Sequence, residues 1–186
     1  MILFLSSVPG IIAGRGWNEW ITIYFTQTQT YPFMYMNYPS FWAIIDASGN
    51  SYELLSKVSI LFTIAILALI MFACRIKEIL LSKENILYLA FLLTYTCVFF
   101  LPSMHERYGF PYEMLAIILL LLDKKKIMAT AGLLCISMMT YGHFLFGTDY
   151  NIMFLSVFNG FIYLWYVKDF FQDEKRFLKT GRSEEK

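Results

Sequence analysis

Apolar and polar residues are distributed in long blocks along this chain rather than alternating. Five apolar blocks, at about 54–74, 85–101, 110–122, 127–146 and 152–167, follow a semi-polar stretch at 13–57. A shorter block, "MILFLSSVPGII", precedes that stretch. A bilayer core of about 30 Å needs roughly 20 apolar residues in helical form. The residue-by-residue alternation of a membrane β-barrel is absent. The pattern predicts an all-α, polytopic transmembrane helix bundle. The third block is short, and its helix is expected to begin near Pro111, with Tyr112 and Glu113 in the interface. The opening block is too short for a span, and it has neither a basic leader nor an A-x-A site, so it is not read as a signal peptide. It reads as the end of a helix, and the chain is expected to be the C-terminal part of a longer protein. With that partial helix the count is about six passes, in a single transmembrane domain over 1–186 with one long and one short extracytoplasmic loop.

Charge gives the orientation. Twelve of the fifteen Lys and Arg lie at 75–83, at 124–126 and in the tail 168–186. These segments fall on one side if the blocks are spans, and the positive-inside rule makes that side cytoplasmic. The aromatic-rich 13–57 segment, the loop around His105 and the turn at 147–151 then lie outside. The tail carries Phe170, Phe171, Phe177 and Leu178 among its charges and reads as a cytoplasmic interfacial helix that frays at Gly181.

Composition narrows the class further. The chain is 58% hydrophobic and 16% charged, unlike a soluble domain. A net charge of +1 gives no case for nucleic acid as a partner. Cys74, Cys97 and Cys135 lie inside apolar blocks without ligand spacing and read as packing residues, so no metal or other cofactor is expected.

The candidate chemistry is interfacial. "LPSMHERYGFPYE" places His105, Glu106 and Arg107 between Pro102, which suits a helix end, and Pro111, which suits a first turn. Arg offers a planar fork for phosphate or carboxylate oxygens, and His can donate to the same anion. Glu106 can orient either neighbour or bind a sugar hydroxyl, and Tyr108 adds an amphipathic ring. The competing reading is a solvated loop whose Arg107 snorkels to headgroups. Upstream, Arg15, Glu19, Asn37, Asp46 and Glu53 are interleaved with aromatic rings, which suits carbohydrate and equally an ordinary aromatic belt. His143 falls near the outer end of its block, and Asp149 reads as a turn residue.

Two motifs carry a resemblance. Pro102, His105, Glu106, Arg107, Tyr108 and Pro111 match the pattern P-x-x-H-E-R-Y-x-x-P. Ala13-Gly14-Arg15, Tyr24, Gln27, Tyr31-Pro32 and Asn37-Tyr38-Pro39-Ser40-Phe41-Trp42 match a second, in the same order. The chain resembles polytopic glycosyltransferases of the GT-C type, in particular bacterial proteins related to the second mannosyltransferase of GPI-anchor synthesis. The resemblance implies transfer of a hexose, such as mannose, from a polyprenyl-phosphate donor to a glycan, lipid or protein acceptor outside the cytoplasm of a bacterial plasma membrane. It implies donor-phosphate contacts from His105, Arg107 and Arg15, and sugar-positioning contacts from Glu106, Tyr108, Asn37 and Trp42. The family's catalytic carboxylate lies in a first outer loop with no counterpart here, so no general base is assigned. A missing N-terminal half or a partner subunit would supply it. The rival class is a non-enzymatic membrane subunit or transporter component, or an inactive truncated product. Against the transporter, the middles of the apolar blocks lack Asp, Glu, Lys and Arg.

Overall fold

The computed structural model describes residues 33–45 and 52–173, together with Ile12, Gly14, Gly16, Arg176 and Phe177. Arg15, Glu19 and Asp46 lie outside the described residues. The chain divides into two compact units, Met1–Phe33 and Met34–Lys186, and the division falls inside the 13–57 stretch.

The regular elements described in the second unit are all helices, with no strand among the described residues. A short α1 (Phe41–Ile44) is followed by α2 (Tyr52–Ile76), α3 (Lys83–Phe100), α4 (Phe110–Leu122), α5 (Ile127–Phe146) and α6 (Ile152–Gln172). The last five coincide with the five apolar blocks. Their ends carry recognisable stops. Ser82 Oγ accepts from Asn85 N at 3.2 Å, and Asn151 Oδ1 accepts from Phe154 N at 3.0 Å, each satisfying a first-turn N–H that the helix leaves open. Gly147, at φ 65°, closes α5 in the left-handed conformation.

Three helical stretches are long and apolar enough to cross a membrane: Tyr52–Ile76, Lys83–Phe100 and Lys124–Phe146. That is fewer than the hydropathy blocks suggested. The 13 residues of α4 reach only about 20 Å at 1.5 Å per residue, short of a bilayer core. α6 has the length, but its composition includes Asn159, two tyrosines, Trp165, Lys168 and Asp169. It also continues past 168, so the charged tail begins one helical turn later than the sequence pattern placed it.

α3 is the centre of the packing. Tyr88, Phe91, Leu92 and Tyr95 are fully buried on it. α2 buries only a narrow stripe, Ser59, Thr63, Ile70 and Cys74, while Leu61, Ile64, Leu69 and Phe72 stay exposed. Such an apolar outer face fits a lipid surface better than water. Ser59 Oγ donates to the Phe100 carbonyl at 2.6 Å, so a small hydroxyl residue lets α2 approach the end of α3.

The core is largely aromatic. Tyr95 stacks on Tyr112 at 4.3 Å, and Phe91 lies 4.6 Å from Tyr166. Tyr112 is therefore a core ring of the bundle.

At the end of the bundle where α3 begins, a charged clasp joins three turns. Lys126 is almost fully buried, with Nζ 2.6 Å from Asp123 Oδ2 and 3.1 Å from Asp169 Oδ2. Tyr88 donates its hydroxyl to Asp169. Arg176 lies over the Tyr88 ring and donates to Asn85 Oδ1 at 3.0 Å, and Ile79 pairs with Phe177. Residues 176 and 177 thus dock back on the α2–α3 turn.

Lys126 holds the Asp123 carboxyl below the usual carboxylate range, chiefly through their hydrogen bond. A depressed carboxylate stabilises fully above the ordinary Asp value of 3.8, and that contribution is lost as pH falls below it. Lys126→Met is expected to lower stability by about 1–2 kcal/mol, less than for a fully enclosed pair because both carboxylates are partly exposed. Thermal melts in detergent at neutral pH check this. The gap between Lys126→Met and the parent should shrink near pH 3.

Candidate functional site

The opposite end of the bundle carries the 103–108 loop, and proline chemistry explains how it starts. Pro102 disfavours helical geometry in the residue before it, and Leu101 is extended, with ψ 152°. Its N–H closes the helix on the Cys97 carbonyl at 2.9 Å. Ser103 then takes a positive φ of 58°. Met104 pairs with Tyr35, and Ser103 N donates to the Met34 carbonyl at 3.1 Å. Glu106–Gly109 forms a single 3-10 turn that leads into α4, with Pro111 in the first turn of that helix.

The 34–38 segment meets this loop from the other side. Asn37 also has a positive φ, 42°, a conformation that Asn tolerates better than most residues. Its carbonyl accepts from the Tyr150 hydroxyl at 3.2 Å. Two left-handed, non-glycine residues therefore flank one backbone pairing. Strained backbone of this kind persists where surrounding contacts over-determine it.

Those contacts run through a buried polar network. Asn159, fully buried on α6, donates to the Pro39 carbonyl at 2.9 Å and to the Tyr38 hydroxyl at 3.3 Å. Its own oxygens accept from Tyr95. Tyr38 and Tyr112 hydroxyls lie 2.9 Å apart, and burial pushes the Tyr38 phenol up. The aromatic segment is thereby bolted to α3, α4 and α6.

The side chains of the loop divide by exposure. Arg107 and Tyr108 are exposed, with the guanidinium 5.8 Å from the ring centre. The His105 ring meets the Tyr108 ring edge-on at 5.7 Å. Glu106 points inward and its side chain is 8% exposed. Its Oε2 lies 4.0 Å from His105 Nδ1, beyond hydrogen-bond reach, and has no hydrogen-bond partner. The Glu106 carboxylate is felt by Tyr150, whose phenol is pushed up to about 12 by burial first and by that charge second.

Asn37 lies two residues beyond the Tyr35–Met104 pairing, and its carbonyl is held by Tyr150. Trp42 is 5% exposed and its indole N–H donates to the Phe100 carbonyl at 2.7 Å, so it anchors α1 and offers no ring face to a sugar. Arg15 is outside the described residues. Glu53 forms an exposed pair with Lys57 at 2.9 Å, away from any buried partner.

His143 stands on α5 beside Tyr150, with ring centres 4.9 Å apart. Its Nδ1 is 2.6 Å from the Thr148 carbonyl. A carbonyl only accepts, so Nδ1 carries the proton and Nε2 is the acceptor in the neutral ring.

One further carboxylate is not singled out by the sequence pattern. Glu113 is buried in the first turn of α4, where Ser137 Oγ donates to it at 3.0 Å. Its other oxygen packs against Gly109, where an added Cβ would come within 2.6 Å. The seven-residue spacing from Glu106 is visible in the sequence, but nothing there shows that the Glu113 side chain turns inward. Among the described residues no cluster of His, Cys, Asp or Glu could hold a metal ion.

No family model, no curated protein and no solved structure matches this chain.

Proposed function

We propose that this chain belongs to a membrane glycosyltransferase that takes a hexose from a polyprenyl-phosphate donor at the outer membrane interface. The observation that carries the reading is the pairing of 34–37 with the 103–108 loop. It gathers an exposed Arg fork, an exposed Tyr ring, a buried carboxylate and Asn37 at one end of an apolar helical bundle. An anion held at the interface by Arg107, with polar groups beside it, suits a lipid phosphate bearing a sugar. Charge grows on the phosphate oxygen as the sugar leaves, and a fixed donor there lowers that barrier. Among the described residues the buried Glu and Lys side chains, Glu106, Glu113 and Lys126, lie in the loop or near helix ends, and not along the middle of the bundle as in a transporter.

The twelve-to-three charge split supports a six-pass arrangement with the C-terminus in the cytoplasm. Reporters placed at Asp149 and after Lys186 should read opposite sides, and a shared side would reverse this topology. The function itself is tested by offering a labelled polyprenyl-phosphate hexose to membranes carrying the chain within its complete enzyme. Label should reach a glycan, lipid or protein acceptor. Transfer that requires a nucleotide sugar in its place would contradict the reading.

A further inference from the structure

The turn between α4 and α5 lies at the other end of α4 from the 103–108 loop. α4 presents one outward stripe, Phe110, Met114, Ile118 and Leu121, all exposed, as a helix facing lipid does. Its length leaves it about 10 Å short of a bilayer core of about 30 Å. A membrane accommodates a short span by thinning locally and by long flanking side chains that reach for the headgroups. Such side chains stand at this end. Lys124 and Lys125 are both exposed in the 3-10 turn that follows α4. Lys126, in the same turn, is buried and takes Asp123 and Asp169 as its partners. Among the described residues no ion pair reaches Lys124 or Lys125. Other cations at this end are held by the protein. Lys77 Nζ donates to the Phe171 carbonyl at 2.8 Å, and Arg176 donates to Asn85. On either side of Lys124 and Lys125, Leu121, Leu122, Ile127 and Met128 are exposed. Two cations flanked directly by exposed apolar side chains suit neither water nor hydrocarbon alone. They suit the boundary where a headgroup meets its acyl chains.

We infer that the α4–α5 turn holds the headgroup of an anionic phospholipid at Lys124 and Lys125, with the lipid's acyl chains lying on Leu121, Leu122, Ile127 and Met128. Charge complementarity selects the lipid. Lys126 already occupies both nearby carboxylates, Asp123 and Asp169, so Lys124 and Lys125 leave an excess of positive charge at the turn. A zwitterionic headgroup brings no net charge to meet it. An anionic one does, and the attraction of each lysine for it grows where hydrocarbon lowers the local dielectric. A phosphate ion in solution would meet the same cations, but it would leave the four apolar side chains uncovered. The site is independent of the donor-binding reading, because it lies at the opposite end of α4 and uses none of the same residues.

The test is fluorescence quenching by brominated lipids in nanodiscs of phosphatidylcholine. The full chain, with Cys74, Cys97 and Cys135 replaced by serine, carries a fluorophore on Met128→Cys, a position 81% exposed. The probes are brominated phosphatidylglycerol and brominated phosphatidylcholine. The anionic lipid should quench at about 10-fold lower mole fraction than the zwitterionic one. In the double variant Lys124→Gln and Lys125→Gln the two lipids should quench alike. Each single variant should give an intermediate preference, so the result does not hang on the double variant. Arg at both positions should keep the preference, and so should Lys57→Gln, which removes an exposed cation from α2 near its first turn. Inorganic phosphate should displace no more of the anionic lipid than chloride at equal ionic strength. Equal quenching by the two lipids in the parent, or a preference that survives in the double Gln variant, would overturn the inference. Displacement by inorganic phosphate beyond the chloride control would overturn it too, and would make the turn a site for a soluble anion.

Discussion

Asn159→Leu is expected to destabilise the bundle by about 3 kcal/mol, the largest stability loss of any single polar substitution in this unit. Asn159 is fully buried and serves three partners at once: the Pro39 carbonyl, the Tyr38 hydroxyl and the Tyr95 hydroxyl. Leucine has nearly the same volume, so the loss is one of hydrogen bonds and not of packing. Each partner left without a donor or acceptor costs on the order of 1 kcal/mol within a membrane bundle. The effect should also be local. Pro39 and Tyr38 belong to the segment that pairs with the 103–108 loop, so that segment should loosen first. A cysteine at Ser40, which is fully buried, should react with a thiol reagent far faster in the Asn159→Leu background. A melting curve within about 0.5 kcal/mol of the parent would mean that the network contributes nothing net.

Arg107→Lys in the complete enzyme is expected to slow sugar transfer by roughly 10²–10³-fold with little change in folding. The guanidinium is exposed and rests against the Tyr108 ring, itself exposed, so the fold does not depend on it. Lysine keeps the charge and loses the planar fork, which matters at a bidentate phosphate contact and not in a solvated loop. A side chain that only snorkels to headgroups would be replaced by Lys almost silently. Transfer at matched expression therefore separates the two readings. Near-normal rates in the Lys variant would return the loop to a surface role.

Much of the architecture is legible because period and block length are strong signals. Five apolar blocks became five helices, and Pro102 and Pro111 bracketed the loop between α3 and α4. What the pattern overstated is the number of full spans. α4 is as short as its own 13-residue block, and α6 carries polar and charged residues within its length. The 103–108 loop was legible by motif, but the orientation of its side chains was not. Glu106 and Arg107 are adjacent, and one turns in while the other turns out. Trp42 shows the converse. The resemblance implied a sugar-positioning role for it, and its buried indole N–H instead donates to the Phe100 carbonyl at the end of α3. Asn159 was visible as a polar residue inside an apolar block, but its partners lie about 120 positions away in the chain, at Tyr38 and Pro39. No local pattern encodes that distance.

The central claim is that the 103–108 loop forms, at the outer face of the membrane, a site for a lipid phosphate. It is tested most directly by thiol labelling of Tyr108→Cys in a chain whose Cys74, Cys97 and Cys135 are replaced by serine. Tyr108 is 43% exposed and lies against the Arg107 guanidinium. On intact cells, a membrane-impermeant maleimide should label this cysteine, and added polyprenyl phosphate should slow labelling when Arg107 is present and not when it is Lys. Labelling that appears only after the membrane is opened, or that proceeds at the same rate with and without the lipid phosphate, would contradict the account.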